Sequence, residues 1–344
     1  MMSSLLQAVV VSILEFIVYI LHERQLKLYK AEEVLPNDKA LSVYYILFII
    51  SQIFQLILCL DATYNKNTIQ VIALAVFNFL SLGYSIIQHI QAQNIINSAE
   101  FKQNWIGSYS NTSRNLEFAI IALMLLFSLS FAYQAYQLYQ EYGWSIYKKI
   151  GADLRMRSMY KVYQILLMLL KVDVFFLLGF SIQYLVLVIT ESSMSELIVH
   201  VTVSLGGTVS MMILSFWALR AENRLGIISF MLACLMTIGY LVYKLVIMYT
   251  VEGYRVRDSP KEICKNPPNN PFPPECDRFA GSRYFLTFFV VVCLLLLFAT
   301  IVETYKALRN FGQGLKQHIN RTAVNWNGAV NLESPEAQKR WSID

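Results

Sequence analysis

Long apolar runs separated by shorter polar stretches set the pattern of this chain. Eight such runs stand out: Leu5–Leu21, Leu41–Leu60, Thr68–Ile90, Leu116–Tyr136, Val162–Thr190, Leu197–Leu219, Leu225–Thr250 and Tyr284–Tyr305. A helix of about 20 apolar residues crosses the hydrocarbon core. A strand would leave its backbone groups unpaired there. The pattern predicts an all-α fold, a polytopic transmembrane helical bundle of about eight helices within residues 1–305. Residues 306–344 are polar and read as a cytosolic, mostly disordered tail. The first run is the weakest, because it is short, contains Glu15 and ends at His22-Glu23-Arg24. A crossing helix and an interfacial helix are both open to it. The fifth run would extend about 43 Å as a helix. The core is about 30 Å thick, so part of that helix lies outside it or tilts.

Composition agrees with lipid-facing surface. Of 344 residues, 56% are hydrophobic and 15% charged, against about 25% charged in an ordinary globular domain. Many of the 21 tyrosines sit near run ends, where rings straddle core and headgroups. The net charge of +5 is spread over several loops. No basic run interleaved with aromatics supports nucleic-acid binding; the expected partners are membrane lipids. Met1–Ser4 carries no cation, so the first run reads as a retained helix and not a cleaved signal.

An even number of crossings puts both termini on one side. Lys and Arg divide almost equally between the two sets of loops, so they do not orient the chain. Two other features do. Cys264 and Cys276 share a Pro-rich loop and form a candidate disulfide. Asn111-Thr112-Ser113 is a candidate glycosylation site, with a rival pattern at Asn320-Arg321-Thr322 in the tail. Taking the Cys loop and Asn111 as lumenal puts the termini and the stretch Tyr142–Lys161 in the cytosol. Cys59, Cys234 and Cys293 fall inside apolar runs and read as packing residues.

Charge at membrane depth is costly and marks candidate sites. Lys171 and Asp173 lie two residues apart, so on a helix they point about 200° from each other and cannot pair. Each needs another partner, and Lys244 and Glu15 are the candidates. At the headgroup level Lys171 would only snorkel; deeper, Asp173 would face a polar interior as a proton or cation site. Gly206 and Ser210 allow either tight helix packing or a broken helix. Gln52, Gln55, Gln70, Gln88, Gln134, Gln164 and Gln183 lie in or beside the runs. They suit hydrogen bonds between helices or a polar path. Gln52 and Gln55 share one helix face. His200 reads as a hydrogen-bonded interior residue, and His22 and His89 lie near run ends.

Before the fifth run, Trp144, Tyr147, Ile150, Leu154 and Met159 recur near helical spacing among Lys148, Lys149, Arg155, Arg157 and Lys161. Two readings fit: a basic amphipathic helix on an anionic membrane surface, or an ordinary cytosolic connector. In either, Lys148, Lys149, Arg155 and Arg157 are candidate contacts for lipid or a cytosolic protein partner.

The stretch YGWSIYKKIGADLRMRSMYKVYQILLMLLKVDVFFLLGFSIQYLVLV resembles the signature block of an uncharacterised family of fungal Golgi apparatus multi-pass membrane proteins. Further pieces match in order: Asn67–Ile72, Arg220–Asn223, Tyr243–Tyr249 and Asn310–Lys316. The resemblance runs through all eight segments and stops near His318. It implies a multi-pass protein of the Golgi membrane and no known activity. The Pro-rich Cys loop is not among the family's features.

No HExxH, GxSxG or Walker loop is present. No metal or other cofactor is called for, and no enzyme is expected. Two functions lead, with an enzyme acting on lipid or glycan a distant third. One is a structural or trafficking component working through its cytosolic stretch and tail, the reading favoured by the blander explanations of the charges. The other is an ion or small-molecule transporter or receptor-like bundle using Lys171 and Asp173.

Overall fold

A computed structural model describes residues 1–29, 38–64, 67–97, 107–150, 154–186, 198, 200–250, 279 and 282–314. Among these, every regular element is helical. We number the α-helices α1 (Met2–Tyr29), α2 (Asp38–Tyr64), α3 (Thr68–Asn97), α4 (Gly107–Ile150), α5 (Leu154–Tyr184), α6 (Gly207–Ala221), α7 (Arg224–Tyr249) and α8 (Arg283–Asn310). Seven of the eight contain stretches long and apolar enough to cross a membrane. The first run is one of them, over Met2–Arg24.

Over the sixth run, where tight packing and a broken helix are both open, the described helix is continuous from residue 200 to 221. A π-helical turn, Val201–Gly206, precedes a 15-residue α6. Tight packing does not explain its glycines. A Cβ on Gly207 would meet nothing within 4 Å, and one on Gly206 only the Val201 carbonyl at 3.9 Å.

Several helices outrun their apolar cores. The run at 116–136 belongs to a helix of 44 residues. The basic stretch 140–163 is therefore not one surface helix. Its first part completes α4 and its second opens α5, with 151–153 outside the described residues. Cys264 and Cys276, the loop at Glu191–Glu196 and the tail beyond Gly314 also lie outside them. Lys306–Asn310, assigned to the tail, complete α8. Asn111 is exposed in the first turns of α4.

The chain folds as two sets of helices. In the first, α1 packs on α2 and α4, and α3 on α2 and α4. In the second, α8 packs on α5 and α7, and α6 on α5 and α7. Rings from both sets join them. Tyr44 stacks on Phe285 with centroids 3.6 Å apart, and Phe54 on Phe175 at 4.6 Å. Tyr84 meets Phe48, Phe285 and Phe289, and its hydroxyl donates to the Tyr44 carbonyl at 2.9 Å. Such ring pairs contribute about 0.5–1.5 kcal/mol each beyond area burial. Gly179 lets α5 approach α8 here: a Cβ would stand 2.6 Å from a Phe289 ring carbon.

The α6–α7 turn shows how Arg220-Ala221-Glu222-Asn223 works. Glu222 takes left-handed backbone angles, φ 53 and ψ 36, and ends α6. The Asn223 side chain accepts from the Leu225 and Gly226 amides at 3.1 and 3.4 Å, starting α7. Gly226 has no room for a side chain, since a Cβ would lie 2.8 Å from that of Ala218. The segment after α8 closes onto this turn. The Gly312 amide, in a φ of 79, donates to Glu222 at 3.2 Å, and Arg155 donates to Gln313 at 3.0 Å. Segments 154–163, 220–224 and 311–314 thus meet at one end of the bundle.

Candidate functional site

The residues buried along α1 are Ser4, Gln7, Val11, Glu15, Val18 and His22. Their spacing of three or four places them on one stripe of a helix. Four of the six are polar. Leu5, Leu6, Val9, Ile13, Phe16 and Ile17 are exposed. The helix therefore points its polar residues into the protein and its apolar ones outward, the arrangement suited to lipid surroundings. On α4 the buried stripe is Ser113, Glu117, Ile120, Met124, Ser128, Phe131 and Ala135, again at steps of three or four residues.

These stripes face polar residues of α2 and α3 in a file along the first set of helices. At one level Gln7 is the hub. Its amide nitrogen lies 2.8 Å from Asn78 Oδ1, 3.1 Å from Gln52 Oε1, 3.4 Å from Gln55 Oε1 and 3.4 Å from Met124 Sδ. In return its carbonyl accepts from Gln55 and Asn78 at 3.3 and 3.4 Å. All four amides are buried to within 2%. Two turns further along α1, the carboxyl of Glu15, fully buried, accepts from the Gln88 amide. The other oxygen of Glu15 and Oε1 of Gln88 have no hydrogen-bond partner among the described residues. Beyond them, Glu117 pairs with His89 Nδ1 at 2.7 Å and accepts from the Tyr45 hydroxyl at 3.4 Å. The His22 ring meets the edge of Tyr45.

A buried carbonyl or amide costs several kcal/mol in hydrocarbon unless it is bonded, and the Gln7 hub satisfies its members mutually. Glu15 differs. A carboxyl with one bonded and one open oxygen can take up a proton, a water or a small cation. His89 and Glu117 add an imidazole–carboxyl pair, with His89 13% exposed and Glu117 4%. The file therefore holds groups that can bind and pass protons. Among the described residues, no three His, Cys, Asp or Glu side chains are arranged to hold a metal ion.

The charges singled out from the sequence occupy separate places. Lys171 pairs with Asp61 at 2.5 Å, and Gln70 donates to the same carboxylate at 2.7 Å. Both ions of the pair are about a third exposed, near the α2–α3 connection. Asp173 points the other way, as the 200° separation requires. It is buried, accepts from the Thr300 hydroxyl at 2.5 Å, and keeps Oδ1 without a partner among the described residues. Neither pairs with Lys244 or Glu15. Lys244 lies against Tyr184, 3.0 Å from its hydroxyl and 4.4 Å from its ring centre. Arg155 reaches Gln313, while the side chains of Lys148 and Lys149 lie outside the described residues. Gln52, Gln55 and Gln88 enter the file; Gln7, Asn78 and Glu117 join them without having been singled out. Cys59, Cys234 and Cys293 are buried and unbridged, as packing residues.

Comparison with known proteins identifies the lineage. No protein-family model matches the chain, and no solved structure matches it. Among curated proteins, a UPF0658 Golgi apparatus membrane protein of Schizosaccharomyces pombe is 30% identical over 313 residues, 84% of this chain and 82% of that protein. With its all-helical, multi-pass architecture, the chain belongs to the UPF0658 family of Golgi apparatus membrane proteins.

Proposed function

We propose that this Golgi membrane protein is an ion transporter that moves protons or small cations through the polar file enclosed by α1–α4. The observation that carries this reading is the reversed polarity of α1. A helix that only filled a bundle in lipid would carry small residues and uncharged polar glue on its inner stripe, with no carboxyl. This one supplies Ser4, Gln7, Glu15 and His22 there. Amides alone could knit helices together. Two buried carboxyls and an imidazole go beyond knitting, and ionisable groups inside a membrane bundle are the usual parts of ion and proton paths. Glu15, with its open oxygen, is the binding group. Glu117 and His89 form the next station, and the Gln7 hub holds the four helices around them.

The test is flux into vesicles. The purified protein is reconstituted with a proton-, sodium- or potassium-sensitive dye inside, and the matching ion gradient is imposed on each preparation in turn. The reading expects at least one gradient to dissipate faster than in protein-free vesicles, and Glu15→Gln to remove the difference. Wild-type vesicles that behave as empty ones under all three gradients would overturn it.

A second reading, a structural or trafficking component with a cytosolic partner, draws on a different observation. After its candidate crossing, Asn111–Gln140, α4 continues to Ile150, and α5 starts at Leu154. The end of α4 carries Lys148 and Lys149, and the start of α5 carries Arg155 and Arg157. This reading takes these two helix ends, with both termini, as cytosolic. Each such cation near an anionic leaflet contributes about 1 kcal/mol. Changing all four to Gln is then expected to displace the protein from the Golgi, seen by fluorescence microscopy, with flux in vesicles intact. Unaltered location in the quadruple variant argues against this role.

A further inference from the structure

We infer that Lys244, with the rings of Tyr184 and Tyr240 as walls, forms a binding site for a phosphate group at headgroup level, at the end of the bundle where α7 finishes and α8 begins. The site is separate from the α1–α4 file and does not depend on the transport reading.

Its construction starts at the π-helical turn. A π turn places one extra residue in a helix and shifts the side chains around it. Here His200, just before Val201–Gly206, and Ser204, within it, both face Tyr240 of α7. The shortest contacts set the direction when the ring is neutral, with Ser204 Oγ also 3.2 Å from His200 Nδ1. His200 Nε2 lies 3.1 Å from the Ser181 carbonyl, which only accepts, so Nε2 carries the proton. Nδ1 must then accept, and it takes the Tyr240 hydroxyl at 2.9 Å. The Tyr240 oxygen in turn accepts from Ser204 at 3.3 Å. This chain ties α5, the π turn and α7 together and fixes the Tyr240 ring.

Lys244 stands one turn beyond Tyr240 on the same helix. Its ammonium lies 4.4 Å from the Tyr184 ring centre and 5.4 Å from that of Tyr240, and one N–H is directed at the Tyr184 hydroxyl. Ring faces favour a cation but leave its charge unneutralised. No ion pair to Lys244 occurs among the described residues, and the nearby imidazole is committed to Ser181 and Tyr240. The Tyr240 hydroxyl engages a second N–H, and the third remains for an anion. Position selects the anion. Lys244 lies about 8 Å along the axis from the end of α7 at Tyr249. Exposed Tyr243, Tyr249 and Tyr284 surround that end, as in an aromatic belt. At that level the abundant anion is phosphate, borne by a lipid or dissolved beside it.

Native mass spectrometry of the detergent-solubilised protein tests this with two probes, short-chain phosphatidic acid and inorganic phosphate. The wild type is expected to retain one phosphatidic acid at concentrations where Lys244→Met retains at least tenfold less. Tyr240→Phe, which removes the hydroxyl that orders the wall, should give an intermediate loss. Retention of lipid but not inorganic phosphate assigns a lipid headgroup; retention of both assigns the phosphate group itself. Equal retention by wild type and Lys244→Met, in variants of matched thermal stability, would overturn the site.

Discussion

Glu15→Gln is expected to abolish ion flux through the reconstituted protein while leaving its fold intact. The substitution keeps the size of the side chain. It also keeps an oxygen that can accept from Gln88, the partner of Glu15 in the file. It removes the one property an amide lacks, the ability to gain and lose a proton or to offer a full negative charge to a cation. Thermal unfolding in detergent should therefore change little. Flux should fall to that of empty vesicles. Glu15→Leu supplies the contrast, because it also strands the Gln88 amide, and an unpaired buried amide costs about 1–3 kcal/mol. Its melting temperature should fall as well. Undiminished flux in Glu15→Gln would remove Glu15 from the path.

The largest effect on stability is expected from Gly179→Val. The two sets of helices are joined by the ring cluster of α2, α3, α5 and α8, and Gly179 is where α5 meets the Phe289 ring most closely. A Cβ would sit 2.6 Å from that ring, far inside contact distance, and valine adds two methyl groups beyond it. Phe289 cannot easily retreat, because Tyr84, Phe176 and Phe288 border it. Overpacking of this kind costs about 1–3 kcal/mol. The expected result is a clear fall in thermal midpoint and in monodisperse yield, partly restored by Phe289→Leu in the same chain. A midpoint equal to wild type would mean that the sets are not joined as described.

Hydropathy located the membrane helices because lipid-facing surface must be apolar: the runs at 41–60, 68–90 and 284–305 fall within α2, α3 and α8, and the run at 225–250 overruns α7 by one residue. It missed what lies outside hydrocarbon. The ends of α4 are polar, so its 44 residues showed only as 116–136. The irregularity before α6 is a π turn over Val201–Gly206; Gly206 and Ser210 marked the place but not its form. The divergence of Lys171 and Asp173 follows from two-residue spacing alone and was legible. Their partners were not, since Asp61 and Thr300 are 110 and 127 residues away. The polar file was half legible. Gln52 and Gln55 announced one polar face on α2. The sharper signal was in the first run, where Ser4, Gln7, Glu15 and His22 recur at helical spacing. Glu15 made that run seem the weakest crossing, because a charge was weighed as a defect of hydrophobicity. In the fold it belongs to the inward stripe.

The most direct test of a conducting file is its access to water. Single cysteines are placed along α1 in a background without the native ones, and a membrane-impermeant thiol reagent is applied to intact vesicles. The account predicts labelling at positions 4, 7, 11, 15 and 18, which line the file, and none at 5, 9, 13 and 16, which face lipid. An inner stripe as unreactive as the lipid face would contradict it and leave the file as a dry polar seam that only holds the helices together.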